Sequence, residues 1–278
     1  MKTLVLANQK GGVGKSAVAT LLAHHLRRLG RRVLAIDLDH QANFSQALTR
    51  SGRAVVAEAT ADRLLTQAGV SVPDAPFVLV AGHRELLTLE RQPAQHNGYA
   101  RNVRAFLAAV DGAFDVAIVD TNPNPDIRVI AALASADFVV SPVQLNQEAM
   151  SGVNMLLNHE RVGIRRIKAV LNPKLQLVGL LPTMVEPTPF QKANYVQVVQ
   201  AFHPILIRVG DGPGAFAAIP RRSCIAEAQA SGEVLWEMKK TAAREASAEI
   251  RPTLDAIAAR VMGASIQPAE GAPHAAAA

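Results

Sequence analysis

The sequence has few cysteines, few aromatic residues and no long apolar run. Cys224 is the single cysteine among 278 residues, which excludes an internal disulfide framework and favours a reducing compartment such as the cytoplasm. No stretch of about 18 uncharged apolar residues occurs, so we predict no membrane-spanning helix. The first apolar run begins within a few residues of Met1, and we therefore expect no signal peptide.

The composition is that of a globular protein that can bury a substantial core, with 49% hydrophobic and 19% charged residues. We expect a single domain over residues 1–263. The tail at 264–278 is rich in alanine, proline and glycine and is predicted to be disordered. It has no cationic face opposite bulky apolar residues, so we do not expect a membrane anchor. The net charge of +6 is compatible with a polyanionic partner and equally with a solvated basic surface.

Apolar runs alternate with helical patterns along the chain. This order predicts an α/β fold with a mostly parallel central sheet flanked by helices on both faces. Predicted strands lie near residues 3–7, 33–37, 77–81, 115–119, 138–141, 167–171 and 177–181. Predicted helices lie near residues 15–29, 43–50, 60–67, 99–110, 126–135, 147–158, 189–202, 223–231 and 239–262.

A glycine-rich loop between the first predicted strand and helix is the strongest functional motif. The order of strand, glycine loop and helix is typical of a phosphate-binding loop, in which backbone amides and the helix N-terminus surround a phosphate. Lys15 is expected to reach the β- and γ-phosphates, and the Ser16 hydroxyl is expected to ligate Mg²⁺. The residues assigned to the nucleotide here are Lys10, Gly11, Gly12, Val13, Gly14, Lys15, Ser16 and Ala17.

Three aspartates stand where a nucleotide and metal site needs carboxylates. Asp37 and Asp39 end the second predicted strand, and Asp120 ends a later one. Ligands of open α/β sheets bind at this carboxyl edge, where such a carboxylate can hold Mg²⁺ directly or through water. Taken alone, each aspartate could instead cap the following helix.

The loop with its second lysine, Lys10, and these aspartates together resemble the deviant Walker A ATPases of the ParA/MinD superfamily. Within it, the match is to the ParA-type partition ATPases. Segments 136–144, 179–184, 219–222 and 226–232 extend the resemblance over nearly the whole chain. The ending at 239–247 is similar to the partition ATPases of broad-host-range plasmids. The resemblance implies a P-loop NTPase fold and weak, partner-stimulated hydrolysis of ATP with Mg²⁺.

The resemblance also implies roles for individual residues. Lys10 matches the signature lysine, which in the family crosses a dimer interface to contact the phosphates of the partner's ATP. Asp39 matches the position associated with the attacking water, so the residues implied for catalysis are Lys10, Lys15 and Asp39. The metal positions are Ser16, with Asp37 and Asp120 in the outer Mg²⁺ shell. Asn172 matches a position that contacts adenine, although an asparagine after a strand is otherwise a turn former, and Pro220 is assigned to the nucleotide.

The chain departs from the family pattern at three places. His40 stands where the family usually has proline after Asp-x-Asp, and Asn122 replaces the usual proline after Asp120-Thr121. We expect these two changes to affect the rate of hydrolysis and not binding. Ser223-Cys224 replaces an arginine that many relatives carry, and we expect Cys224 to be an inert packed thiol.

Family members bind DNA without sequence preference as ATP-bound dimers, through basic residues of the C-terminal half. The candidates here are Arg221, Arg222, Lys240, Arg244 and Arg251. Acidic residues share the last predicted helix, so a salt-bridged solvated face is an equal alternative. No aromatic residues alternate with these cations, which leaves phosphate contact as the mode of DNA binding.

The leading functional hypothesis is a cytoplasmic, nucleoid-associated ATPase that segregates a plasmid or chromosome with a ParB-like centromere-binding partner. An alternative is a relative that positions a protein cargo on the nucleoid through an adaptor. A MinD-like membrane ATPase is disfavoured because the tail has no amphipathic anchor. Three further classes are disfavoured. Nitrogenase-type iron proteins need a pair of cluster cysteines, and tyrosine kinases of this superfamily carry a tyrosine-rich tail, whereas this chain has one cysteine and two tyrosines. Dinucleotide dehydrogenases do not end the glycine loop in Lys-Ser.

Overall fold

Residues 1–212 and 214–263 are described by the computed structural model of the chain. The predicted disordered tail at 264–278 lies outside these residues. Within them, eight strands form one sheet in which every strand pair is parallel.

The elements alternate along the chain. The strands are β1 (Lys2–Leu6), β2 (Val33–Asp37), β3 (Val55–Val56), β4 (Phe77–Val80), β5 (Val116–Asp120), β6 (Phe138–Gln144), β7 (Gln176–Val185) and β8 (Ile219–Pro220). The helices are α1 (Lys15–Arg28), α2 (Asn43–Ser51), α3 (Ala61–Thr66), α4 (His96–Ala109), α5 (Ile127–Ser135), α6 (Ala149–Asn158), α7 (Ile164–Val170), α8 (Pro189–Phe202), α9 (Ser223–Ser231) and α10 (Thr241–Met262).

The sheet has the order β3-β4-β2-β5-β1-β6-β7-β8 and carries a separate apolar core on each face. Helices α1, α2, α9 and α10 pack on one face, and α3 to α8 pack on the other. Both faces of a parallel sheet must be covered because its strands are apolar on both sides. The predicted parallel α/β fold is confirmed.

The strand predicted at 167–171 is wrong, because this segment belongs to helix α7 and the turn after it. Ile164 and Ile167 are buried three residues apart, whereas Val170 and Leu171 are both exposed. A strand buried on one face hides alternate residues, and a strand buried on both faces hides all of them, so burial spaced by three residues marks a helix. The strand was predicted from a short apolar run, which does not distinguish a strand from a helix.

The two strands that sequence reasoning missed, β3 and β8, are two residues long and lie at opposite edges of the sheet. A dipeptide has no periodicity to read. No helix in the described part of the chain is long and apolar enough to cross a bilayer. Cys224 lies in the first turn of α9 and is buried, as predicted for a packed thiol.

Candidate active site

Asn8 fixes the start of the glycine loop to the centre of the sheet. Its Nδ2 donates hydrogen bonds to the Pro142 carbonyl at 2.8 Å and to Ser141 Oγ at 3.2 Å, both on β6. Its Oδ1 accepts from the backbone N–H of Lys10 at 2.8 Å. All polar atoms of the buried amide are therefore used, and the loop leaves β1 in one defined direction.

The loop backbone adopts the conformation that only glycine tolerates well. Gly12 and Gly14 have φ angles of 73° and 86°, and Gly14 directly precedes helix α1. Thr183 Oγ1 at the end of β7 donates to the Val13 carbonyl at 2.7 Å, which holds the middle of the loop. The free backbone N–H groups at the start of α1 and its dipole make this loop an anion site.

The two lysines of the loop point in opposite directions. Lys15 is only 7% exposed, and its Nζ donates to the carbonyls of Asn8 and Lys10, each at 3.2 Å. Burial lowers the Lys15 pKa, and the charges of Asp120 and Asp39 oppose this shift. The Lys10 side chain points outward, and its Nζ pairs with Glu148 at the start of α6, at 2.5 Å. Lys15 thus serves the loop, while Lys10 faces the exterior.

Two of the predicted metal carboxylates lie side by side on adjacent strands. The register of β2 and β5 places Asp37 opposite Asp120, and both residues are fully buried. Ser16 Oγ donates to Asp120 Oδ2 at 2.6 Å, so all three predicted metal residues meet at one point. Burial raises the pKa of Asp120 well above its usual range, and the neighbouring Asp37 adds to this effect. Burial also raises the pKa of Asp37 to about 6, against hydrogen bonds from Ser45 and Asp39.

This arrangement fits a divalent cation. Asp120 Oδ1 is buried and has no hydrogen-bond partner among the described residues, an arrangement that a cation or its bound water would complete. The charge of Lys15 only partly offsets the repulsion between the buried Asp37 and Asp120 carboxylates, and a bound cation would offset it further. No group of three or more His, Cys, Asp or Glu side chains forms a metal cage in residues 1–212 and 214–263. A phosphate-bound Mg²⁺ needs no such cage, because it takes one or two protein ligands with phosphate and water.

Ser45 and Gly82 support the aspartates and were missed by sequence reasoning. Ser45 donates to Asp37 Oδ2 through its backbone N–H at 2.8 Å and its hydroxyl at 2.7 Å. Gly82 follows β4 at the same edge, and its N–H donates to Ser45 Oγ at 2.9 Å. A Cβ on Gly82 would lie 2.6 Å from the Asp39 carbonyl oxygen. Gly82 could have been found from the sequence by its position two residues after β4, because β4 ends beside β2, which carries Asp37.

Replacing Gly82 with alanine is expected to displace the backbone of Asp37 and Asp39. The contact is with backbone, which cannot rotate away, so we expect a loss of about 1–3 kcal/mol in stability and at least a tenfold fall in ATP turnover. Thermal unfolding and phosphate release measure the two effects. Gly98→Ala is the matched control, because a Cβ on Gly98 in α4 meets nothing within 4 Å. Wild-type turnover in Gly82→Ala would contradict the prediction.

A cleft of about 990 Å³ extends from the glycine loop along the carboxyl edge of the sheet. Most of the nucleotide residues predicted from sequence line it, as does Pro220 at the end of β8. Met184 lines it too and has a φ of 52°, and Ala42 beside the cleft has a φ of 53°. Outside glycine, these are the two positive φ values of the described residues, and such strain is concentrated at functional sites.

Asn172 is not part of this cleft, so its predicted contact with adenine is corrected. It follows α7 and precedes β7, which places it at the amino edge of the sheet, opposite the glycine loop. Its Nδ2 donates to the carbonyls of Leu133 and Ala136 at 2.9 and 2.7 Å. The side chain therefore ties α5 to the turn before β7. The carboxyl end of β7, at Thr183 and Met184, lines the cleft in its place.

The predicted DNA-facing residues are exposed, and several of them are paired with carboxylates. Arg221 lies 3.7 Å from Glu186, Arg222 pairs with Glu249 at 2.8 Å, and Lys240 pairs with Glu227. Across the described ranges, Arg244 and Arg251 form no ion pair within 4.0 Å. Arg221 and Arg222 also line the mouth of the nucleotide cleft, which brings them next to the site.

Comparison with known proteins identifies the family of this chain. The family model described as "AAA domain" matches residues 1–177. Protein IncC of Escherichia coli is 32% identical over 267 residues, covering 92% of this chain and 68% of IncC. The chromosome-partitioning ATPase Soj of Thermus thermophilus is 34% identical over 245 residues, covering 87% of this chain and 90% of Soj. The chain belongs to the ParA-type partition ATPases. The family predicted from the loop and the aspartates is confirmed.

A solved structure shows the same fold as this ParA-type chain. It is a cobyrinic acid a,c-diamide synthase from Mycobacterium smegmatis with a bound ATP analogue and magnesium. The TM-score is 0.71 at 26% identity, covering 96% of this chain and 98% of the other. One fold hosts several chemistries, so that biosynthetic activity does not transfer with the fold. The matches to IncC and Soj identify the ParA-type ATPase.

Proposed function

We propose that this chain binds ATP with Mg²⁺, dimerises around it and binds DNA without sequence preference. Hydrolysis stimulated by a ParB-like partner then releases it, and the cycle segregates a plasmid or chromosome. The opposed direction of the two loop lysines carries the proposal. Lys15 is enclosed by the loop, whereas the Lys10 side chain is 27% exposed and directed away from its own loop.

The chemistry at the carboxyl edge follows from the residues brought together there. Backbone amides of the loop and Lys15 would hold the phosphates, and the Ser16 hydroxyl would ligate Mg²⁺, supported by Asp37 and Asp120. Bound Mg²⁺ neutralises charge on the phosphate oxygens during transfer. Asp39 lines the cleft beside the loop and would orient the attacking water.

Dimerisation and nucleotide binding would be linked through Lys10. A cation that reaches the partner's ATP stabilises negative charge on the transferring phosphoryl group, as an arginine finger does. Because ATP would then be part of the interface, nucleotide binding and dimerisation strengthen each other to the same extent. Lys10 is available for this role because its side chain is partly exposed and its Nζ is held by the exposed Glu148 and not by the phosphate loop itself.

Light scattering of the protein with ADP and with ATP, each with and without duplex DNA of unrelated sequences, tests the proposal. We expect a monomer with ADP, a dimer with ATP and DNA binding only with ATP. A monomer in all states, or equal DNA binding with ADP, would contradict it. Recovery of a partner that binds no centromere would favour a protein cargo over DNA segregation.

DNA affinity is expected to fall steeply with salt, because the candidate residues would contact the DNA phosphates and not the bases. These residues are Arg221, Arg222, Lys240, Arg244 and Arg251. About five phosphate contacts in each subunit predict a loss of roughly 500-fold per subunit between 50 and 200 mM salt, so the fall is steeper still for the dimer. Arg244→Ala with Arg251→Ala should weaken binding equally for all sequences and flatten the salt dependence. Arg101→Ala on α4, on the other face of the sheet, is the matched control. Affinity independent of salt would contradict phosphate contact.

A further inference from the structure

A buried chain of polar side chains extends from the Asp39 carboxylate to the turn after β5. His40 Nδ1 lies 3.3 Å from Asp39 Oδ1 and 3.2 Å from Arg128 Nη1. Arg128 Nε donates to both carboxylate oxygens of Asp126, at 3.2 and 3.1 Å, and Asp126 Oδ2 accepts from Asn122 Nδ2 at 2.9 Å. The Arg128 side chain is only 3% exposed, so the chain is largely shielded from water.

The chemistry of the donors decides how His40 is held. An arginine guanidinium only donates hydrogen bonds, so its contact with His40 requires Nδ1 to be the unprotonated ring nitrogen and Nε2 to carry the proton. His40 Nε2 lies 2.9 Å from the side-chain amide of Gln41, which accepts this proton when its oxygen is turned toward the ring. Nδ1 then has no proton to give to Asp39, although it lies 3.3 Å from that carboxylate. The bond from Arg128 therefore fixes the His40 ring against Asp39, where the ring limits rotation of the carboxylate without donating a hydrogen bond to it. The Asp39 carboxylate, which accepts from the Gln41 N–H at 3.0 Å, keeps lone pairs for a further donor.

His40 and Asn122 form the two ends of this chain through their side-chain contacts with Arg128 and Asp126. His40 follows β2 and Asn122 follows β5, and these two strands are neighbours in the sheet. Arg128 and Asp126 connect the two side chains. The pair Arg128–Asp126 is itself fixed, since Asp126 Oδ1 also caps α5 by accepting from the Arg128 N–H at 3.0 Å.

We propose that Arg128 and His40 are positioning residues for ATP hydrolysis, which hold the Asp39 carboxylate free and correctly placed to orient the attacking water. The inference rests on the role of Asp39 in the proposed function and adds two residues to it. Arg128 acts through His40, and Asp126 with Asn122 anchors Arg128. Neither Arg128 nor His40 needs to contact the nucleotide.

The test is a double-mutant cycle on ATP turnover. His40→Leu, which removes the acceptor, and Arg128→Lys, which keeps the charge beside Asp126, are each expected to lower kcat about tenfold, with KM for ATP within about twofold. The double variant should be no slower than the slower single variant, because both changes break one contact. His40→Asn, whose amide oxygen can still accept from Arg128, should keep turnover within about twofold of wild type.

The outcomes separate this inference from the proposed function. If His40→Leu and His40→Asn behave alike, or if the effects of His40→Leu and Arg128→Lys multiply, the positioning role is refuted. His40 is partly exposed, so its variants remain informative if Arg128→Lys fails to fold. Asp39→Ala is measured in the same series. Normal turnover in Asp39→Ala would refute the role of Asp39 in the proposed function, whereas slow Asp39→Ala beside normal His40→Leu would refute only the inference.

Discussion

Replacing Asp39 with alanine is expected to lower ATP turnover by roughly 10²–10⁴-fold, the range typical of a lost catalytic acid or base, and to leave a long-lived ATP-bound dimer. Asp39 is buried two residues after β2 and lines the cleft. Removing its carboxylate would leave the phosphate site formed by Lys15 and Ser16 intact. Phosphate release measures the turnover, and light scattering after removal of free ATP measures the lifetime of the dimer.

The control for this variant is Asp74→Ala, because the Asp74 side chain is exposed on a loop before β4. Asp39→Asn separates charge from shape, since the amide keeps the acceptor oxygen but loses the negative charge. We expect Asp39→Asn to be nearly as slow as Asp39→Ala. Wild-type turnover in both variants would move the water-orienting role to another residue of the cleft.

Local sequence is enough to predict that the glycine loop and the strand-end aspartates lie at the same edge of the sheet. The glycine loop, Asp37 and Asp120 follow apolar strands, and parallel strands bring such positions to one edge. That the loop and these aspartates lie close together can therefore be predicted without knowing any side-chain contact. The strand order itself, with β5 between β1 and β2, could not be read from the sequence, because it depends on which strands pair over long separations.

The parts that sequence missed all depend on distant segments meeting. Gly82 matters because its Cα lies against the Asp39 backbone, and Arg128 matters because it reaches His40 from 88 residues away. Asn172 was expected at the adenine from its match to a family position. Because residues 164–170 form α7, Asn172 lies before β7, at the edge of the sheet opposite the glycine loop.

Replacing Lys10 with alanine is expected to abolish the ATP-dependent dimer while leaving ATP binding within a few fold of wild type. The Lys10 side chain turns away from its own loop, so the phosphate contacts of the same subunit do not depend on it. Loss of a cation acting across the interface is expected to slow hydrolysis by roughly 10³-fold or more, as loss of an arginine finger does. Fluorescent-nucleotide binding, light scattering with ATP and phosphate release measure the three properties separately.

Two variants define what the Lys10 result means. Lys15→Ala should lose ATP binding itself, because the Lys15 ammonium is enclosed by the loop that would hold the phosphates. Glu148→Gln removes the carboxylate that pairs with Lys10 in the same subunit and should leave the dimer intact, since this pair lies at the exposed surface. If Glu148→Gln also loses the dimer, Lys10 acts by fixing α6 and not by reaching the partner's nucleotide. Normal dimerisation and hydrolysis in Lys10→Ala would refute the role across the interface, because no other loop residue of this chain directs a cation outward.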